Sequence, residues 1–389
     1  MGKPLYVTQP LLPDLNDVQA ALAEIWRTRI LTNGGPMHNA LENALQDYLR
    51  VPTAAVFNNG TMALLVALKL FNLPRGSEVI TTPLTFAATA HAIHWNGLIP
   101  VFADVLPETL TIDPESVEKA ITKRTSAILA VHVYGTVCEL DALQEIADEY
   151  ALRLFYDAAH AFGTMVNGRS IASFGDASIF SFHATKLFNT LEGGLITTNR
   201  ETDKEAIYYL RNFGIKNEEE VVGIGINGKL NELQAAIGLL NLPLVKDERQ
   251  RRAILRQKYG EFLHTLPGIK LQPEQPGVSN SEQYFPIVVD PIDFGRSRDD
   301  LYSSLKRRGI FARKYFHPIC TDFEPYRGFP IHSVRKNPHV NVIKSQVLCL
   351  PFHRGVADED LAEIREEFFK NAQPRRVFVQ PSIHPAFPG

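Results

Sequence analysis

Between residues 54 and 200 the chain alternates short β-rich runs with stretches of helical period, and this alternation constrains its fold more than any single motif. Strand, helix and strand in succession is the pattern of βα units, which build a largely parallel sheet. Seven runs predict strands, at 54–58, 78–81, 100–102, 127–131, 152–156, 178–181 and 195–198, each rich in residues that suit extended backbone. Helices are expected at 61–71 and 139–150, and from Pro114, which suits a first helical turn, to about residue 120. The expected architecture is therefore α/β, with a mostly parallel seven-stranded sheet.

A long helical stretch, 230–240, follows Gly228, and a charged one, 246–266, comes after it, with Pro243 expected to break the helix between them. A border there divides the chain into a large α/β unit, 1–244 including the N-terminal segment, and a smaller α+β unit, 245–389. In the smaller unit 284–289, 298–308, 311–313 and 357–370 read as strand, helix, strand and helix. The tail 377–389 carries Pro381, Pro385 and Pro388 and is expected to be extended or frayed.

A length of 389 residues suffices for two cores, and 45% hydrophobic with 21% charged residues is ordinary for folded, soluble protein. The net charge of −3 gives no basic field to attract a nucleic-acid backbone, so no nucleic-acid partner is expected and any anion site must be local. Cys138, Cys320 and Cys349 lie far apart without zinc-ligand spacing, so reduced, buried thiols and no metal are expected. The first 13 residues lack the basic segment and apolar run of a secretory signal, and no stretch is long enough to span a bilayer. A cytoplasmic enzyme without a membrane partner is expected.

Three places carry candidate chemistry. Lys186 stands between the last two predicted strands among apolar and small residues, where desolvation lowers an amine's pKa and favours the neutral form that attacks an aldehyde. On local sequence alone the same residue also reads as a surface lysine. Asp157 ends the apolar run that starts at Leu152, at the carboxyl edge where α/β sheets place functional groups; it reads either as a counter-charge for a protonated ring nitrogen or as a helix cap. The segment from Asn58 to Leu64 joins a strand to a helix, and Gly60 and Thr61 there suit either phosphate binding at a helix N-terminus or a simple turn. No GxGxxG follows the first strand, which argues against a nicotinamide enzyme.

Three runs together are more specific: Phe155-Tyr156-Asp157-Ala158-Ala159-His160-Ala161-Phe162-Gly163, Ser181-Phe182-His183-Ala184-Thr185-Lys186 with Glu192-Gly193-Gly194 after it, and residues 225–238 around Asn227 and Glu232. In this order the chain resembles the DegT/DnrJ/StrS family of fold-type-I sugar aminotransferases, from Thr32 to about Pro351. The resemblance implies pyridoxal 5'-phosphate held by Lys186 as a Schiff base, with Asp157 on the pyridinium nitrogen. Gly60, Thr61 and Ser181 match phosphate-binding positions, and Phe86 the aromatic that stacks on the ring, although core packing also accounts for an aromatic there. His160 stands where many members carry a glutamine near the phenolic oxygen, and it keeps a hydrogen-bond donor. Asn227 matches an asparagine that reaches the phosphate from the neighbouring subunit of a homodimer; otherwise it is a turn residue between Gly225 and Gly228.

The resemblance further implies L-glutamate as amino donor and a nucleotide-linked keto-sugar as acceptor, with local wording most similar to members that make dTDP-4-amino-4,6-dideoxy-D-glucose from the 4-keto-6-deoxy sugar. Lys229, Arg313, Lys314, Tyr315 and His317 are candidates for the diphosphate, as charge-assisted donors or as plain surface residues. His183 is a candidate to assist proton transfer, or a packing residue. Two rivals stay in view. A dehydratase of the same family carries histidine in place of the lysine, against Lys186 here, and a regulatory protein that kept the fold without the chemistry would not require Asp157, Lys186 and Ser181 together.

Overall fold

A computed structural model describes residues 4–327 and 338–372. Its centre is a seven-stranded sheet of strands β1 (Thr53–Phe57), β2 (Glu78–Thr81), β3 (Ile99–Phe102), β4 (Thr125–Val131), β5 (Arg153–Asp157), β6 (Ala177–Ser181) and β7 (Gly194–Thr198). The spatial order is β1-β7-β6-β5-β4-β2-β3, parallel from β6 through β3, while β7 runs antiparallel to both β1 and β6. Side chains alternate across it. Val56, Ile80, Val101, Ile128, Leu154 and Phe180 enter one core, and Phe57, Val79, Leu129, Phe155, Ile179 and Ile196 enter another on the opposite face. Both faces are dry, which explains why these strands read as unbroken apolar runs rather than as alternating ones.

All seven expected strands are present, with ends displaced by a residue or two. The displacement at β5 has a consequence: Leu152 falls in the preceding turn, and pairing runs from Ala127↔Arg153 to Val131↔Asp157. Asp157 thereby becomes the last paired residue of the strand, also opposite Ile179. Pro243 falls where the α-helix is interrupted: helix Glu232–Asn241 ends, a 3₁₀ turn Leu242–Leu244 follows with Pro243 at its centre, and helix Val245–Leu263 begins, the flanking residues keeping helical dihedrals. A proline in a first turn loses no hydrogen bond, because its N–H would have had no partner there.

A second core gathers residues from 255 to 368 around the sheet Ile269–Leu271, Phe285–Val289 and Val347–Leu350, with helices Arg298–Arg307 and Asp358–Asn371. The expected strand at 311–313 is instead Ile310–Phe311, which pairs in parallel with Leu5–Tyr6, while Arg313 makes a separate bridge to Cys349. Leu5 is buried in this second core, while Val7 packs with Leu84, Val105 and Val131 beside the large sheet and the Leu11 carbonyl accepts from Asn189, so the N-terminal segment touches both cores. The expected fraying at 377–389 lies outside the described residues.

The motif segment 225–238 has a structural task. Helix Pro36–Leu49 begins at Gly35, which has no side chain to cap it, and Glu232 supplies the cap from 195 residues away, accepting from the N–H groups of Met37 at 2.8 Å and His38 at 2.9 Å. A Cβ on Gly35 would come within 2.5 Å of the Glu232 carboxyl carbon, so the close approach requires glycine. Glu232→Ala leaves two buried donors without partners and is expected to cost about 2 kcal/mol, read as a lowered midpoint in urea with unchanged slope.

Candidate active site

The carboxyl edge of the sheet collects the candidate residues because the strands that carry them run in parallel and end together. Asp157, at the tip of β5, is buried, and its Oδ2 accepts from Thr89 Oγ1 at 2.8 Å while Oδ1 accepts from the Ala159 N–H at 3.1 Å. Thr89 is held in turn by Thr85 at 2.8 Å between hydroxyl oxygens. Burial pushes the Asp157 carboxyl up from its ordinary value, and the Thr89 hydroxyl, the Ala159 N–H and the Lys186 charge oppose that rise.

Lys186 lies in the loop between β6 and β7, anchored by Leu187 and Phe188 in the core, where the Phe188 ring stacks on Phe162 with centroids 4.7 Å apart. Its side chain keeps some surface open, but its amine lies deep among protein atoms. Desolvation lowers the Lys186 pKa to about 8, against the pull of the Asp157 carboxylate in the other direction. An amine so placed is half neutral near pH 8, far more than an ordinary lysine at that pH, and the neutral form is the one able to attack a carbonyl carbon. The amine stands 5.7 Å from the ring centre of Tyr284, which is itself buried.

His160 is buried beside them, stacked on Phe316 with centroids 5.7 Å apart and edge-on to Tyr284 at 5.0 Å. Its Nδ1 accepts from the Tyr134 N–H at 3.1 Å. Burial, reinforced by the Lys186 charge, keeps the ring well below the ordinary histidine pKa and hence neutral, so the proton sits on Nε2. The ring therefore presents its donor at Nε2.

The anion cradle is built by close packing. Helix Gly60–Leu70 starts against the end of β6, where a Cβ on Gly60 would meet Ser181 Cβ at 3.0 Å, and a Cβ on Gly194 would meet the Asn59 carbonyl oxygen at 2.5 Å. Asn59 caps the helix through the Met62 N–H, and neither the N–H groups of Gly60 and Thr61 nor Thr61 Oγ1 and Ser181 Oγ have a hydrogen-bond partner among the described residues. These groups fit a phosphate monoester. Asn227 is exposed next to this cradle, its carbonyl accepting from Asn58 Nδ2 at 3.4 Å.

Phe86 caps helix Ala87–Trp95 three residues before Thr89, and it is 62% exposed, which rules out core packing and leaves a bare aromatic face. The residues expected to meet a diphosphate are more scattered. Arg313 and His317 are exposed, and burial lowers the pKa of His317. Tyr315 packs edge-on against Tyr284 at 5.5 Å, and its carbonyl accepts from the Tyr134 hydroxyl at 2.5 Å. Lys314 is committed to Asp299 at 2.6 Å and to the Tyr302 ring, and Lys229 to Asn212 at 2.8 Å and the Phe213 ring. His183 is exposed, with Nδ1 2.8 Å from Thr185 Oγ1 and Nε2 3.5 Å from Glu192. Among the described residues, no side-chain hydrogen bond or ion pair joins His183, Lys229, Arg313 or Lys314 to the Lys186 amine.

Thr89, Tyr134, Gln283, Tyr284 and Phe316 escaped the sequence reading. Thr89 was within reach, since it stands one helical turn from Phe86 in the same segment. Tyr134 follows β4 at the same sheet edge, whereas Gln283, Tyr284 and Phe316 come close only through the packing of the C-terminal part onto it.

This fold, with a desolvated lysine, a buried carboxylate and an anion cradle on one sheet edge, is that of a pyridoxal-phosphate-dependent aminotransferase. Residues 14–369 match the DegT/DnrJ/EryC1/StrS aminotransferase family, and the chain belongs to it. It is 44% identical to a dTDP-4-amino-4,6-dideoxy-D-glucose transaminase of Shigella dysenteriae, over 94% of this chain and 98% of that one. It is 41% identical to the protein of the same name in Escherichia coli, over 93% and 97%. The crystal structure of DesI, analysed in the presence of its TDP-sugar product, superposes with a TM-score of 0.90 at 36% identity, covering 96% of this chain and 94% of that one. No helix among the described residues is long and apolar enough to cross a membrane.

The electrostatics give a signed expectation. Desolvation lowers the Lys186 pKa and Asp157 raises it, so in Asp157→Asn the midpoint for condensation of added pyridoxal phosphate with the cofactor-free protein moves below about 8. Visible absorbance against pH reads this directly, and an upward or absent shift contradicts the pairing.

Proposed function

We propose that the protein transfers the amino group of L-glutamate to dTDP-4-keto-6-deoxy-D-glucose, giving dTDP-4-amino-4,6-dideoxy-D-glucose, with pyridoxal 5'-phosphate covalently held by Lys186. The observation that carries this reading is the convergence of the Lys186 amine and the buried Asp157 carboxylate on the edge where Gly60, Thr61 and Ser181 form an anion cradle. Two relatives above 40% identity, both named for that product, support the choice of sugar.

When bound, the cofactor supplies an aldehyde for covalent capture of amines and a protonated ring that withdraws electrons from the attached carbon. Gly60, Thr61 and Ser181, with Asn227 from a partner subunit, would hold the phosphate. Phe86 would pack on the ring, and Asp157, whose charged form Thr89 and the Ala159 N–H favour against the effect of burial, would hold the proton on the ring nitrogen. His160 would donate from Nε2 to the phenolic oxygen. Lys186 would anchor the cofactor and, once freed, would take the proton from the amino-bearing carbon of glutamate and deliver it to the former aldehyde carbon of the cofactor, then run the same transfer in reverse for the sugar. Arg313, His317 and Tyr315, with Lys229 and Lys314, are the proposed contacts of the diphosphate, and His183 a proposed substrate contact; Lys314 would exchange Asp299 for the sugar nucleotide.

A homodimer with shared sites accords with the apolar surface. Ile224 is 89% exposed, Trp26 68% and Val221 66%, and Ile224 and Val221 belong to the same stretch as Asn227. So much exposed apolar area on one chain suits coverage by a second copy.

The cofactor band of the protein is expected to bleach with L-glutamate and to return with dTDP-4-keto-6-deoxy-D-glucose; bleaching without return would reject the sugar and keep the donor. Lys186→Ala is expected to bind cofactor and sugar non-covalently while turnover falls by about 10³-fold or more. Near-normal turnover in that variant sinks the assignment.

A further inference from the structure

Gln283 is buried and lies just ahead of strand Phe285–Val289, in the second part of the chain, yet both ends of its side-chain amide are spent on the loop of Lys186. Its Oε1 accepts from the Leu187 N–H at 2.7 Å, and its Nε2 donates to the Thr185 carbonyl at 3.1 Å. The two peptide groups that flank Lys186 are thus gripped by one amide, as a neighbouring strand would grip them. The remaining backbone donor, the N–H of Lys186 itself, goes to the His183 carbonyl at 2.8 Å. The next residue, Tyr284, places its ring under the lysine amine. Consecutive side chains reach the same residue because the backbone here precedes the strand and Glu282 takes a left-handed φ of 59°. The grip is anchored in turn. Arg252, buried on helix Val245–Leu263 and paired with Glu248 at 2.7 Å, donates to the carbonyls of Glu282 and Gln283 at 3.2 and 3.3 Å.

We propose that Gln283 is a positioning residue for Lys186, fixing the lysine backbone so that its amine stands over Tyr284 in the geometry needed for proton transfer. This rests on the reading of Lys186 as the residue that binds the cofactor and moves the proton. A side chain that merely filled space would give the loop stability without affecting the amine. One that positions the amine has a second effect, because a loosened loop lets water reach the nitrogen and a displacement of about 1 Å costs on the order of 10²-fold in rate. Gln283 does not touch the reacting atoms, so its effect is on rate and on the amine's environment and not on recognition of substrate.

The test uses the full-length protein and Gln283→Met, which keeps the length of the side chain and removes both hydrogen bonds. In the cofactor-free form, the pH midpoint for acylation of Lys186, followed by mass spectrometry, is expected to rise from about 8 towards the ordinary lysine value as the amine gains water. In the cofactor-loaded form, kcat is expected to fall by about 10²-fold with KM for the sugar nearly unchanged. Gln283→Glu keeps an acceptor for Leu187 and loses the donor to Thr185, and should restore part of kcat. An unchanged midpoint with unchanged kcat overturns the proposal. So does rapid hydrogen exchange of the Leu187 amide in the unaltered protein, a measurement that does not depend on any variant folding. Borohydride reduction followed by peptide mapping separates the two layers: cofactor found on another lysine refutes the reading of the site, whereas cofactor on Lys186 with an unresponsive Gln283→Met refutes only the positioning role.

Discussion

Removing one amine from water, opposite one carboxylate, is the constraint around which this molecule is arranged. Lys186 loses solvation in the loop between β6 and β7, and Asp157 limits how far its pKa falls. Neither charge is tolerable alone at that depth, since an unpaired buried ion costs several kcal/mol. Each is therefore held by neutral dipoles and by aromatic rings, with Thr89 and the Ala159 N–H on the acid and Tyr284 beneath the base. The sheet makes this possible because β5 and β6 are parallel neighbours and the residues after their ends emerge on one edge. Antiparallel β7 then brings the chain back beside β6, so that the lysine loop closes over the same edge.

Two chemically different regions adjoin that edge. The cradle at Gly60, Thr61 and Ser181 is made of backbone dipoles and small side chains, and it works by close approach. The opposite side, of His160, Tyr284, Tyr315 and Phe316, is aromatic, with only a few hydrogen bonds fixing the rings, such as that from the Tyr134 N–H to His160. A polar cradle and an apolar wall on one edge suit a planar aromatic phosphate ester, whose two ends differ in the same way.

The sheet was legible because its signal is local: seven apolar runs bounded by turns, each buried on both faces. Lys186 and Asp157 were legible only as a pair, since each alone has an ordinary alternative, and the family resemblance borne by the three motif runs joined them. The role of Glu232 as a remote helix cap, and the grip of Gln283 on the lysine loop, left no trace in sequence, because each depends on two segments about a hundred or more residues apart meeting at hydrogen-bond distance. Pro243 was legible for the same local reason as the strands: the residue type signals an interruption, and the α-helix gives way there to a 3₁₀ turn. Phe86 carried a signal of either sign until its exposure was known.

The pairing of Leu5–Tyr6 with Ile310–Phe311 bears on how the chain reaches this state. The same N-terminal segment continues into the second core, with Val7 accepting from the Phe352 N–H at 3.0 Å and the Tyr6 carbonyl 3.1 Å from His353 Nε2. On the ribosome these first residues emerge well ahead of every group that will bind them. Contacts of such separation in sequence close a very long loop for each hydrogen bond they gain, so this strand pair depends on the two cores that flank it rather than on any local preference.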